Sequence, residues 1–152
     1  MMKRREFIWT SLGLSAAAIS MKNPLHGFLM ANAEAADPAR YTELCKTTAE
    51  CIRTGEACIA HCEQELAKGN KEMAKCNTKV HEMLALTRAM LTLASMNSPY
   101  VPKLLKLCAE ACRSCADACA EHKEHFSHGM HLACKDCMEA CQACEKACLK
   151  VA

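Results

Sequence analysis

The sequence predicts an all-α protein, an antiparallel up-down-up-down four-helix bundle with a cysteine-lined core. Three observations carry that reading. The chain holds fourteen cysteines, and they recur mostly at steps of three and four, the alternation that keeps successive residues on one face of a helix with 3.6 residues per turn. Four such segments are separated by brief punctuation at Gly69-Asn70, Asn97-Ser98-Pro99 and Ser127-His128-Gly129, and short connections between long helices make antiparallel neighbours. Aromatic residues are only 4% of the chain, so thiols occupy positions where a helix normally buries large hydrocarbon side chains.

At 152 residues there is room for one domain. Residues 1–33 read as a segment apart. Lys3-Arg4-Arg5 opens a basic region, Phe7 to Ser20 is mildly apolar, and Ala31-Asn32-Ala33 or Ala33-Glu34-Ala35 supplies a small-x-small cleavage site. The paired arginines before Phe7 look like a twin-arginine signal, which implies export to the periplasm or elsewhere outside the cytoplasm. A membrane anchor is the weaker reading, because the apolar run is short and carries Thr10, Ser11, Gly13 and Ser15. No later segment is long and apolar enough to span a bilayer.

Four of the nineteen Lys and Arg, but one of the seventeen acids, precede Glu34. From Glu34 onward fifteen bases face sixteen acids, so residues 34–152 form a near-neutral domain that advertises neither nucleic acid nor an anionic membrane as partner.

Asp37-Pro38 reads as an N-cap followed by proline at the first helical position. The first helix then runs to about Lys68, where Gly69 suits the left-handed position after a helix. The second covers about Lys71 to Ser95. The third starts at Pro99 or Pro102 and reaches about His125, and the fourth spans about Met130 to Lys150. The second helix carries Met83, Leu84, Leu86, Met90, Leu91 and Leu93, an apolar surface wider than one stripe, which either packs on another subunit or on its own neighbours.

The fourth helix states the cysteine pattern most fully, with Cys134, Cys137, Cys141, Cys144 and Cys148 at steps of three, four, three and four. The third has Cys108, Cys112, Cys115 and Cys119; the first has Cys45, Cys51, Cys58 and Cys62; the second has only Cys76. Beyond Cys76 its inner face continues as Val80, Met83, Thr87 and Met90, so thioethers stand where thiols do elsewhere.

Several chemistries use clustered thiols. Disulfides are the default for an exported protein, yet helical neighbours have Cβ atoms about 5–6 Å apart and a disulfide needs roughly 3.5–4.5 Å, leaving only cross-helix pairs. Iron–sulfur motifs share the short Cys-x-x-Cys spacing but sit in loops and often end in Cys-Pro, whereas these steps run on through helices. Zinc in four thiolates keeps net negative charge, which is costly to repeat along a dry core. Cu(I) fits best, because soft thiolates and thioethers select it and each monovalent ion cancels one thiolate. With metal–sulfur bonds of about 2.3 Å, a linear S–Cu–S unit spans roughly 4.5 Å, close to what one helix offers at i,i+4. Such a core has room for multiple Cu(I), on the order of ten or more ions.

On these residues the chain resembles the copper storage proteins, and the likeness covers nearly all of residues 34–152. It rests on Cys51, Cys58 and Cys62 in the first helix, Cys76 in the second, Cys112, Cys115 and Cys119 in the third, and the five-cysteine run of the fourth. Cys45 and Cys108 extend the stripes, and Thr87 stands where another thiol would fit. The resemblance implies a bundle that holds many Cu(I) ions, a homo-oligomer (a tetramer), and a copper enzyme or chaperone as recipient. The signal makes it look like the exported branch, linked in the family to copper supply for methane-oxidising enzymes.

The turn between the first two helices and the turn between the last two fall at one end of such a bundle. There each stripe is extended by a further candidate ligand: His61, Met73, His122 and His131, with Met130, His125 and His128 nearby. At the other end the stripes run into Tyr41, Ala94, Leu104 and Val151. One end reads as a ligand-bearing mouth and the other as an apolar plug. His61 and Met73 also resemble mouth residues of the family. No phosphate-cradling loop, nucleophile elbow or paired acid and base marks an enzyme. An iron–sulfur or thiol redox protein and a copper chaperone of low stoichiometry are the competing functions, and fourteen thiols exceed what a chaperone needs.

Overall fold

The computed structural model describes residues 39–123, 126 and 132–152. These form four helices: α1 Thr42–Ala67, α2 Met73–Ser95, α3 Val101–Ala120 and α4 Leu132–Val151. Each packs against its neighbours in the cycle α1, α2, α3, α4 and back to α1. The fold is the expected all-α four-helix bundle.

The helix ends follow from local chemistry. Gly69 adopts φ +90, and the amides of Gly69 and Asn70 donate to the carbonyls of Leu66 (2.9 Å) and Glu65 (3.0 Å). That pair of bonds closes α1 in the way glycine makes possible. Asn97, at φ 50, repeats the device after α2, with Asn97 and Ser98 donating to Ala94 (3.1 Å) and Leu93 (2.9 Å).

Three expected boundaries differ. The Asp37-Pro38 start lies outside the described residues, and α1 begins at Thr42 because the preceding turn folds Tyr41 into the core, 5% exposed. The second helix starts at Met73 rather than Lys71, after a turn in which the Ala74 amide donates to Lys71 O. Rather than reaching His125, α3 ends at Ala120, where the chain tightens and the His122 amide donates to Cys119 O at 3.1 Å. Pro102 sits in the first turn of α3, where its missing N–H costs nothing. The fourth helix is described from Leu132, and it ends at Val151.

Sulfur forms the middle of the core. Thirteen of the cysteines are wholly buried, and hydrocarbon closes the column at the end where α1 begins, through Tyr41, Leu44, Ala94, Val101 and Leu105. Leu105 rather than Leu104 is the buried residue there; Leu104 and Val151 pack against it half-exposed. On α2, Leu84 is buried against α1, while Leu86, Leu91 and Leu93 are half-buried. Ion pairs such as Arg88–Glu56 (2.9 Å) and Arg113–Glu145 (2.5 Å) cross the outer surface between helices, and exposed pairs of this kind contribute about 0–1 kcal/mol each.

Candidate metal centre

The 3.6-residue repeat turns each cysteine stripe toward the bundle axis, and the helices stack the thiols into overlapping groups. Within each group the sulfur atoms lie within 4.8 Å of one another. Nearest the α1–α2 turn are Cys58, Cys62, Cys76 and Cys134. Next come Cys58, Cys119 and Cys137, then Cys115, Cys137 and Cys141. Toward the apolar end are Cys51, Cys112 and Cys144, followed by Cys108, Cys144 and Cys148. A 3.5 Å contact between Cys51 and Cys141 and the bond between Cys112 and Cys141 join the two series into one column.

Some groups include i,i+4 pairs from one helix, such as Cys58 with Cys62 and Cys144 with Cys148, as the sequence spacing anticipates. Close contacts also cross between helices: Cys76–Cys119 at 3.6 Å, Cys58–Cys134 at 3.7 Å and Cys115–Cys137 at 3.8 Å. All fourteen thiols are free, and these separations are far beyond the ~2.05 Å of a disulfide. With bonds of about 2.3 Å, three sulfurs around one ion lie about 4.0 Å apart and two in line about 4.6 Å. The column therefore suits two- and three-coordinate soft metal with little movement.

The thiols do not hold protons alike. S–H bonds from Cys115, aided by Cys58 and Cys76, hold Cys119 down to about 6 against the upward push of Cys137 and burial. Cys137 also stands at about 6: Cys115 pushes it up, and bonds from Cys119, Cys141 and Cys58 outweigh that. Bonds from Cys134, Cys58 and Cys76 lower Cys62, and bonds from Cys108, Cys112 and Cys148 lower Cys144. Their partners move the other way. Cys58 is raised through its bond with Cys119, Cys141 through Cys112 and Cys148 through Cys108, each also by burial. Thiolate acceptors thus sit among protonated donors, and a cation is needed before the remaining thiols can ionise together.

Cys45 does not join the column. It is half-buried, its sulfur 3.8 Å from Ser95 Oγ, and none of the thiol groups includes it. The reason is angular: Cys45 lies six residues before Cys51, about one-third of a turn off the stripe, whereas Thr48 lies three before and stays close to it. Thr48 is buried, donates to Leu44 O at 2.6 Å and places its oxygen 3.6 Å from Cys144 Sγ. Periodicity alone would have found Thr48. Thr87 likewise faces inward and donates to Met83 O at 2.9 Å.

At the α1–α2 end, His61, Met73 and His122 are 4%, 1% and 8% exposed. Met73 and His122 lie three residues outside Cys76 and Cys119, and His61 stands next to Cys62, the last thiol of α1, so the structure brings these three expected mouth residues to one end. His131, His125, His128 and Met130 lie outside the described residues. His81 is exposed, away from the stripe.

Residues 37–152 match the copper storage protein family. The chain belongs to that family. No curated protein matches the chain. Among solved structures, that of the copper storage protein Ccsp from Streptomyces lividans, loaded with 10 copper equivalents, superposes with a TM-score of 0.66 at 25% identity, covering 84% of this chain and 94% of that one. Family membership and the thiol column agree on copper storage rather than on a low-stoichiometry copper chaperone, because thirteen buried thiols exceed what one or a few ions need.

Proposed function

We propose that this copper storage protein is exported by residues 1–33, holds many Cu(I) ions along its sulfur column outside the cytoplasm, and releases them to a copper enzyme or chaperone. The observation that carries the storage reading is continuity: every one of the thirteen buried cysteines shares a group with at least two others. A cation entering such a column always finds a further thiol within reach, so capacity scales with the column rather than with one site. Monovalent copper is favoured over zinc because one Cu(I) per thiolate leaves the dry core neutral, whereas a divalent ion in four thiolates leaves charge behind.

Buffering and supply follow from soft, exchangeable ligation and not from catalysis. The His61, Met73 and His122 end is the mouth, and the Tyr41 and Leu105 end is closed. Copies of the chain assemble as a homo-oligomer, a tetramer being the size the family resemblance implies.

Anaerobic titration of the reduced protein with Cu(I) against a competing chelator tests storage. About ten or more equivalents retained through gel filtration, with far less zinc, is the expected result; saturation at one or two equivalents overturns it. Native mass spectrometry reads the assembly state. For export, residues 1–33 fused to a reporter that works only outside the cytoplasm should carry it out, and replacing Arg4 and Arg5 by lysine should abolish that.

A further inference from the structure

The second helix contributes one thiol to the column, but it presents buried thioethers. Of these, Met83 makes the closest approach to a thiol. Cys51 donates its S–H to Met83 Sδ at 3.3 Å, nearer than the thiol–thiol contact of Cys51 with Cys141 at 3.5 Å. Both residues are completely buried.

The thioether is held in place from two sides. A Cβ added at Gly55 would stand 2.8 Å from Met83 Cε, so the absence of a side chain on α1 is what gives the methionine methyl its seat. Thr87, one turn on, places its oxygen 3.5 Å from Met83 Sδ. Methionine used only as filler needs neither feature, since its flexible chain adapts to irregular gaps. Here the methyl is seated and the sulfur is turned toward Cys51.

We propose that Met83 and Cys51 together bind one of the stored Cu(I) ions, making a mixed thioether–thiolate site halfway along the bundle. The inference rests on the storage reading and deepens it. In the metal-free protein a proton lies between the two sulfurs. On loading, the Cys51 S–H bond breaks, the proton leaves to solvent, and copper takes its place with a bond to each sulfur. The sulfurs then separate from 3.3 Å to about 4.6 Å for two-coordinate or about 4.0 Å for three-coordinate metal, a movement that methionine's three rotatable bonds permit. Charge favours the pairing. One thiolate and one thioether around Cu(I) sum to zero, whereas two unshared thiolates leave a buried negative charge. A thioether also completes copper's coordination without taking a thiolate from its neighbours.

The test uses the full chain with 13C-labelled methionine methyls, the Met83 resonance assigned by its loss in Met83→Leu. Leucine keeps the volume and removes only the sulfur. During anaerobic loading with Cu(I), the Met83 methyl should shift while that of Met96, which is 65% exposed, stays fixed. In chelator competition Met83→Leu should hold one equivalent roughly tenfold more weakly, a loss of the size seen when a metal's supporting partner is removed. A Met83 methyl unmoved at copper saturation, with Met83→Leu binding as tightly as the parent, overturns the mixed site and leaves storage standing. Failure of the parent chain to take up copper at all overturns the storage reading itself.

Discussion

Cys51 Sγ lies 3.5 Å from Cys141 Sγ, and this contact, together with that of Cys112 with the same Cys141, links the two series of thiol groups, which share no residue. On the proposed route from the α1–α2 end, copper crosses to Cys144, Cys108 and Cys148 at Cys141, through either Cys51 or Cys112. Replacing Cys141 by alanine is expected to leave the first phase of loading intact and to slow the second by about tenfold, equivalent to a barrier raised by ~1.4 kcal/mol. Stopped-flow loading that remains single-phased in Cys141→Ala would show that ions do not travel along the column.

Removing the metal should leave the helices in place. The capping bonds at Gly69 and Asn97 and the hydrocarbon end at Leu44, Val101 and Leu105 involve no thiol, and a buried cysteine packs as a small apolar residue. The loaded protein should nevertheless melt higher, because a ligand bound only by the folded state adds about 4 kcal/mol to its stability at a thousandfold excess over its dissociation constant. Circular dichroism and calorimetry on stripped and loaded samples check both halves. Loss of helical signal on stripping would mean that metal builds the fold.

The stability of the metal-free protein should depend on pH on both sides of the ordinary thiol value of 9.0. Cys119 and Cys137, at about 6, contribute stability that is fully present above 9.0 and lost as pH falls through about 6. Cys58, Cys141 and Cys148, raised above 9.0, contribute stability that is present below that value and lost as pH rises beyond it, when unfolded thiols ionise first. The melting temperature should climb from pH 6 to 9 and then fall. Copper replaces the titrating protons, so the loaded protein should show a flatter curve across the same range. Identical pH curves for the two states would remove the thiols as the source.

Which of these features could be read from sequence depends on whether they are local. The repeat of three and four placed twelve of the buried thiols on one axis with no knowledge of the partners, and Gly69 announced its own left-handed turn. Cys108, reached by extending a stripe, falls in line as well. Cys45 fails the same extension because a step of six does not return to the face. Leu104 was expected where Leu105 is buried, since which of two adjacent residues meets the axis depends on how a helix is rotated against its neighbours. The contacts of Cys51 with Cys141 and with Met83 depend on the relative height of three helices, which the repeat within one helix does not encode.

The mouth can be tested by kinetics that separate access from capacity. Met73 and His122 lie three residues outside Cys76 and Cys119, His61 stands next to Cys62, and all three are buried. On the proposed entry route each is a ligand beside the outermost thiolates, and none is needed to hold the ions beyond. Replacing all three by leucine should therefore slow loading and chelator-driven removal by about tenfold, again ~1.4 kcal/mol of barrier, while capacity at saturation stays nearly that of the parent. The opposite end supplies the control. Leu105→Ala at the hydrocarbon plug should cost about 2–5 kcal/mol of stability and lower the melting temperature, yet leave the loading rate alone, because no ion passes there. Rates unchanged in the triple variant, or slowed equally by Leu105→Ala, would place the opening elsewhere on the bundle.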